Sequence, residues 1–196
     1  MKRTARIVAG VVVVGAVAWA GTAWYTGKRV EDEIRRYVEQ VNQQPTFGTV
    51  EITGYERGVF SSTVRYVFKA QNLPLPQEIV RPGDQITLVS RVQHGPFPFA
   101  RLGAGQFAPV LAATHTVLEN SGPAQPWFAA TGEAQPIEER SSIHYDGNVA
   151  FSLTLAPLNV KQADVAFGFE GGQIRGTASS DLAAVTAEGS VGNVRI

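Results

Sequence analysis

The side chains in this sequence best suited to chemistry are its three histidines, His94, His115 and His144. Imidazole ligates metals and moves protons near neutral pH, so three histidines on neighbouring strands could assemble a metal-dependent hydrolase. Their spacing does not favour that reading, because no His-x-His or His-Glu-x-x-His pair occurs. Counted along QITLVSRVQH, His94 shares a phase with Ile86, Leu88, Ser90 and Val92. That phase points inward, so His94 is expected to finish a strand and hydrogen-bond a backbone carbonyl. Gly95-Pro96 then stops the ladder, since proline has no donor and holds its predecessor extended. Phe97 and Phe99 are expected to fold back over the apolar face.

The other candidates are weaker. Ser61-Ser62 has no G-x-S-x-G context for a nucleophile. Glu138 and Glu139 are sequence neighbours that point apart on a strand, a poor acid/base couple. The run Gly103-Ala104-Gly105-Gln106-Phe107-Ala108 matches a loose G-x-G-x-x-A. Pro109 disturbs the helix a dinucleotide would need, and Glu119 comes too soon to be its ribose partner, so the run reads as a loop. Cysteine is absent, which removes disulfides, thiolate catalysis and Cys-based metal sites. No residue is assigned a catalytic, cofactor-binding or metal role, no cofactor is implied, and the chain reads as a non-enzyme.

The elements that would carry these residues are mostly strands. Beyond Pro45 the apolar period is two. Val64, Tyr66, Phe68 and Ala70 share one face, Ile86, Leu88 and Val92 another, and Val149, Phe151, Leu153 and Leu155 a third. Val165, Phe167 and Phe169 continue the pattern. Such alternation predicts antiparallel strands with one buried and one wet face. Asp146-Gly147-Asn148 and Gly171-Gly172 read as hairpin turns, and 72–84, rich in proline, as a loop. Gly58 is placed to allow a bulge or a positive φ before the Val64 strand. A later helix is expected near Phe107–Thr114. The fold class is therefore mainly β, an antiparallel meander that is an open curved sheet if its ends do not meet.

The amino terminus differs. After Lys2, Arg3 and Arg6 comes an uncharged run, Ile7 to Tyr25, which as a helix would cover about 28 Å, close to the bilayer's hydrocarbon thickness. Trp19, Trp24 and Tyr25 cluster toward its far end. It reads as a retained single-span anchor. The rival reading is a cleaved signal, for which Ala18-Trp19-Ala20 fits the small-x-small rule but the apolar core is too long. Ala16 and Ala20 form a small-xxx-small pair of the kind found between packed helices. Val30, Ile34, Tyr37, Val38 and Val41 then continue at helical spacing, with Glu31, Asp32, Arg35, Arg36 and Glu39 on the other faces. The chain thus divides into an anchor at 1–27, an amphipathic helix and linker at 28–45, and a β-rich domain at 46–196. Basic residues flank the span on both sides, so charge alone does not orient it. The body is mildly acidic without a basic run, which argues against nucleic acid as a partner.

Tyr55-Glu56-Arg57-Gly58-Val59-Phe60-Ser61-Ser62, followed by a strand and then His94-Gly95-Pro96-Phe97-Pro98 behind an N-terminal span, resembles the YdgA-like family of bacterial envelope proteins. The resemblance implies an inner-membrane anchor, a periplasmic body and no catalytic residues. Family members are longer chains, so 46–196 would correspond to the N-terminal half of a larger architecture. The last stretch, TAEGSVGNVRI, still alternates like a strand and is expected to form a sheet edge or to continue a longer one.

Two functional expectations follow. The recurrent aromatic face (Tyr66, Phe68, Phe151, Phe167, Phe169) suits an apolar or lipid-like ligand or a protein partner at the membrane. Alternatively, the Val30–Val41 stripe pairs with a second copy to give a structural homo-oligomer, or docks on the chain's own sheet.

Overall fold

The computed structural model of the protein describes residues 2–43, 45–73, 80–162 and 165–195, with side chains from residue 20 onward outside 160–167. One helix, α1 (Lys2–Gln43), precedes β1 (Gly48–Arg57), β2 (Ser61–Ala70), β3 (Gln85–His94), α2 (Phe99–Gly103) and β4 (Ala112–Leu118). A 3-10 turn (Gly122–Ala124) leads into α3 (Gln125–Ala130), followed by β5 (Ile137–Ile143), β6 (Val149–Leu155), β7 (Leu158–Gln162) and β8 (Val165–Phe169). The chain then runs through β9 (Gly172–Ala178), β10 (Val185–Val191) and β11 (Val194–Arg195). The expectation of a mainly β, antiparallel protein led by a helix is met.

The main sheet has eight strands in the order β1-β2-β3-β4-β5-β6-β9-β10, and β1 and β10 are its two ends, so it is open. Its first six strands are a plain meander. The chain then leaves for a second sheet, β11-β8-β7, and returns at β9 beside β6. This detour corrects one expectation. Gly171-Gly172 is not a hairpin turn but the point where the chain changes sheets, with Gly171 at φ +88° and too close to the Leu155 carbonyl to carry a Cβ. Asp146-Gly147-Asn148 does connect paired strands, β5 and β6.

Alternation sets the two faces. Residues aligned in the ladders share a face, which places Val64, Ser90, Thr114 and Ser141 together, and Thr63, Arg91, His115 and Arg140 on the opposite side. The first face carries two apolar clusters. One unites Val30 and Ile34 of α1 with Val64, Val92, Leu111, Ala112 and Ile143. The other packs Ala124, Trp127 and Phe128 on Ala70, Val80, Ile86 and Leu118. The helical stripe is therefore occupied by the chain's own sheet. It starts earlier than the apolar spacing from Val30 implies, because Ala23 and Thr26 are already buried. Tyr37 and Val38 are half-buried and Val41 is exposed. Among the described residues no helix is long and apolar enough to cross a membrane. Most of the expected span, Ile7 to Tyr25, falls on side chains outside the described residues.

Several local expectations need correction. The stretch 107–114 is not helical; Pro109 lies in a loop and Ala112 already begins β4. The buried helix is α3, whose Pro126 stands at its first turn, where a missing N–H costs nothing. The bulge in the β1–β2 pair falls between Ile52 and Gly54, not at Gly58. Gly58 instead closes the turn, donating its N–H to the Ser61 carbonyl at 2.8 Å. Gly95 sits at φ +99°, a conformation that favours glycine, rather than extended. Phe97 and Phe99 do not fold back onto the core; both are exposed, and Phe99 meets Phe60 edge to face at 6.5 Å.

Candidate functional site

The three histidines do not converge. His94 ends β3 on the helix-covered face, His115 lies mid-β4 on the opposite face, and His144 sits in the β5–β6 turn, its N–H bonded to the Asn148 carbonyl. Among the described residues no group of three His, Asp or Glu side chains is arranged to hold a metal ion.

His94 occupies the inward position expected for it and is 3% exposed. Its Nδ1 lies 3.4 Å from the Val59 carbonyl and its Nε2 2.8 Å from Ser62 Oγ. A neutral ring satisfies both if Nδ1–H donates to the carbonyl and Nε2 accepts from the serine. Burial pushes the imidazole pKa below its ordinary value, which keeps that neutral form. A Ser–His contact at this distance resembles an activated nucleophile. Ser62, however, is 2% exposed, and Gly27 of α1 roofs the ring so closely that a Cβ there would stand 2.7 Å from Nδ1. No substrate reaches this pair; it is the joint between α1 and the sheet. The contact is not legible in the sequence, because Ser62 and His94 meet diagonally across β2 and β3, which only the register reveals.

Glu138 and Glu139 do point apart. Glu138 accepts from His115 Nε2 at 2.7 Å and from Arg140 Nη2 at 2.6 Å. The Arg140 guanidinium, with His115 assisting, holds its carboxyl below the usual range. Glu139 faces the other way, between the two apolar clusters, near the hydroxyls of Thr114, Thr116 and Ser141. Burial raises its pKa, partly offset by those donors. Tyr66, on the same covered face, is also raised by burial.

Most of the expected aromatic ligand face is used internally, since Phe68 and Tyr66 pack against the two clusters. Phe151 lies against Gly176, its ladder partner on β9, where a Cβ would stand 2.7 Å from the ring. Phe169 is half-buried, and the Phe167 side chain lies outside the described residues. Among the described residues, the far end of the sheet is the part left uncovered. All seven residues of β10 are exposed, Val185 by 59% and Val191 by 62%.

The two ends of the sheet are finished differently. At β1, the Asn42 side chain acts as a short strand of its own. Its Nδ2 donates to the Val50 carbonyl at 2.7 Å, and its Oδ1 accepts from Val50 N–H at 2.9 Å. The bulge and Glu51, Glu56 and Arg57 further blunt that edge. At β10, VTAEGSV holds no lysine, arginine or proline, and its register with β9 is unbroken. Glu188 is its one charge, and no described strand pairs with its outer edge.

Comparison with known proteins places the chain among uncharacterised bacterial relatives. It is 32% identical to protein YdgA of Escherichia coli K12 over 97% of this chain and 39% of that protein. It is 28% identical to the uncharacterized protein YihF of the same organism over 94% of this chain and 39% of YihF. An uncharacterized protein of Haemophilus influenzae is 29% identical over 85% of this chain and 46% of its own length. The chain thus spans less than half the length of these relatives. No solved structure matches it. The bacterial proteins of unknown function grouped as DUF945 match residues 1–196, so the chain belongs to that family.

Proposed function

We propose that this protein is a non-catalytic interaction module of the bacterial envelope, held at the inner membrane by its N-terminal segment with the body on the periplasmic side. Its partner adds an extended strand to β10. The observation that carries this reading is the contrast between the two sheet edges. β1 is clamped at Val50 by Asn42 and carries a bulge and charges, whereas β10 keeps an unbroken register with β9 and, among the described residues, an unpaired outer edge with Val185 and Val191 exposed. Strand addition draws affinity from such main-chain groups and specificity from alternate side chains. The uncharged run Ile7 to Tyr25 supports the anchor by its length. Apolar ligand binding is the weaker reading, because the clusters already take up Tyr66 and Phe68.

The test places a photocrosslinking residue at Thr186 of β10 and, separately, at Glu51 of β1, in membranes of the producing cell. One discrete adduct from Thr186, absent from Glu51 and lost on Val185→Lys with Val191→Lys, is the expected result. Equal labelling from both edges would sink the strand-addition reading. Deleting residues 2–19 should move the protein from the membrane pellet to the soluble fraction, since the docked stripe from Ala23 is retained; a truncated protein that stays in the pellet would overturn the anchor.

A further inference from the structure

The wet face of the sheet carries a straight cross-strand row. Arg91 of β3 aligns with His115 of β4, His115 with Arg140 of β5, Arg140 with Ser152 of β6, and Ser152 with Arg175 of β9. At about 4.8 Å per strand, Arg91 and Arg140 stand roughly 10 Å apart, and Arg140 and Arg175 about the same. Arg101 of α2 lines the same groove, its Nη1 donating to Ser142 Oγ at 2.6 Å. These five basic side chains line one open groove of about 710 Å³.

The acidic groups near it meet only part of it. Glu138 serves Arg140 and His115, and Glu188 aligns with Arg175 at the far end. No ion pair among the described residues includes Arg91, Arg101 or Arg175. Arg175 Nη2 reaches only Gln173 Oε1, at 3.3 Å. Arg101 Nε is buried with no partner at all. An unsatisfied buried N–H of this kind costs free energy. The formal net charge of the chain is zero, so an overall excess of positive charge does not account for the concentration.

We propose that this groove is a binding site for a ligand bearing several phosphate groups. Guanidinium forks match phosphate oxygens two at a time; the Arg140 fork is held by Glu138, while those of Arg91, Arg101 and Arg175 are engaged by no carboxylate among the described residues. Ser142 and Ser152 add hydroxyl donors on the same wall. The site is independent of the β10 edge, and its success or failure leaves that reading untouched.

The test is calorimetric titration of the full chain in non-ionic detergent with sodium tripolyphosphate, orthophosphate and hexaglutamate. Vesicles of phosphatidylglycerol or of phosphatidylcholine form a separate arm. Tripolyphosphate should bind more tightly than orthophosphate and weaken as salt is raised. Arg91→Gln and Arg175→Gln should each weaken it about tenfold or more, while Arg36→Gln on α1, an equal change of charge, should not. Phosphatidylglycerol binding that depends on Arg91 and Arg175, with little response to tripolyphosphate, would assign the groove to single lipid phosphates and overturn the proposal. A preference for hexaglutamate, an Arg36→Gln loss equal to the others, or no binding in any arm would overturn the proposal.

Discussion

At Gly27 two general tendencies oppose one another. Alanine is the better helix former by about 1 kcal/mol, yet a Cβ there would meet His94 Nδ1 at 2.7 Å and Cε1 at 2.9 Å. The ring cannot swing aside without breaking its bond to Ser62, and overpacking costs about 1–3 kcal/mol, so the clash wins. Gly27→Ala should destabilise the protein by about 1–2 kcal/mol in urea unfolding, and become neutral or stabilising in a His94→Ala background. A coupling under about 0.5 kcal/mol in that double-mutant cycle would show that the ring is not what excludes the methyl group. The same burial sets the pH response. With its folded pKa lowered, His94 contributes fully above the ordinary 6.5, and that contribution is lost as pH falls through the folded value. Glu139 has the opposite sign. Its pKa is raised from 4.5, so its contribution is full below 4.5 and is lost as pH rises through the folded value. Glu139→Gln keeps an acceptor for the Thr114 hydroxyl without the charge. It should therefore raise the urea midpoint at pH 8 and lose that gain toward pH 4; an equal gain at both pH values would assign the effect to shape rather than charge.

Among the elements, those whose partners lie nearby in sequence were the legible ones. The period of two in β2, β3 and β6 identifies the buried face because one face meets a core and the other meets water. The spacing of Val30 and Ile34 likewise gives the docked face of α1. Two elements escaped for a physical reason. α3 is six residues long, too short for a periodic signal, and Pro123 and Pro126 read as breakers although each begins a helical turn. Its helicity comes from seating Trp127 and Phe128 on β2, β3 and β4, a tertiary effect that propensity does not carry. The glycine pair at 171–172 has hairpin chemistry, but β9 finds β6, more than fifteen residues back, instead of β8. The arginine row shares this limit. Alternation tells which face Arg91, Arg140 and Arg175 occupy, but only the register across five strands shows that they align.

Taken whole, the molecule is a sheet with a graded cover. α1 and α3 shield β1 to β5 with the two apolar clusters, while β6 and β9 are half-exposed and β10 is exposed along its length. Local opening costs little where few apolar contacts are lost, so backbone protection should fall along the sheet in the same order. Amide hydrogen exchange should find the slowest amides in β3 and β4, where each strand has a neighbour on both sides and a core beneath. The fastest strand amides should lie in β10, whose outer edge has no ladder partner among the described strands. β1 is the informative control. It too ends the sheet, but Asn42 holds both polar groups of Val50, and α1 packs along the strand. The Val50 amide should therefore exchange far more slowly than the outward-facing amides of β10, although both belong to terminal strands. Equal exchange at the two edges would mean that the Asn42 clamp does not hold in solution, and it would remove the asymmetry from which strand addition at β10 is argued.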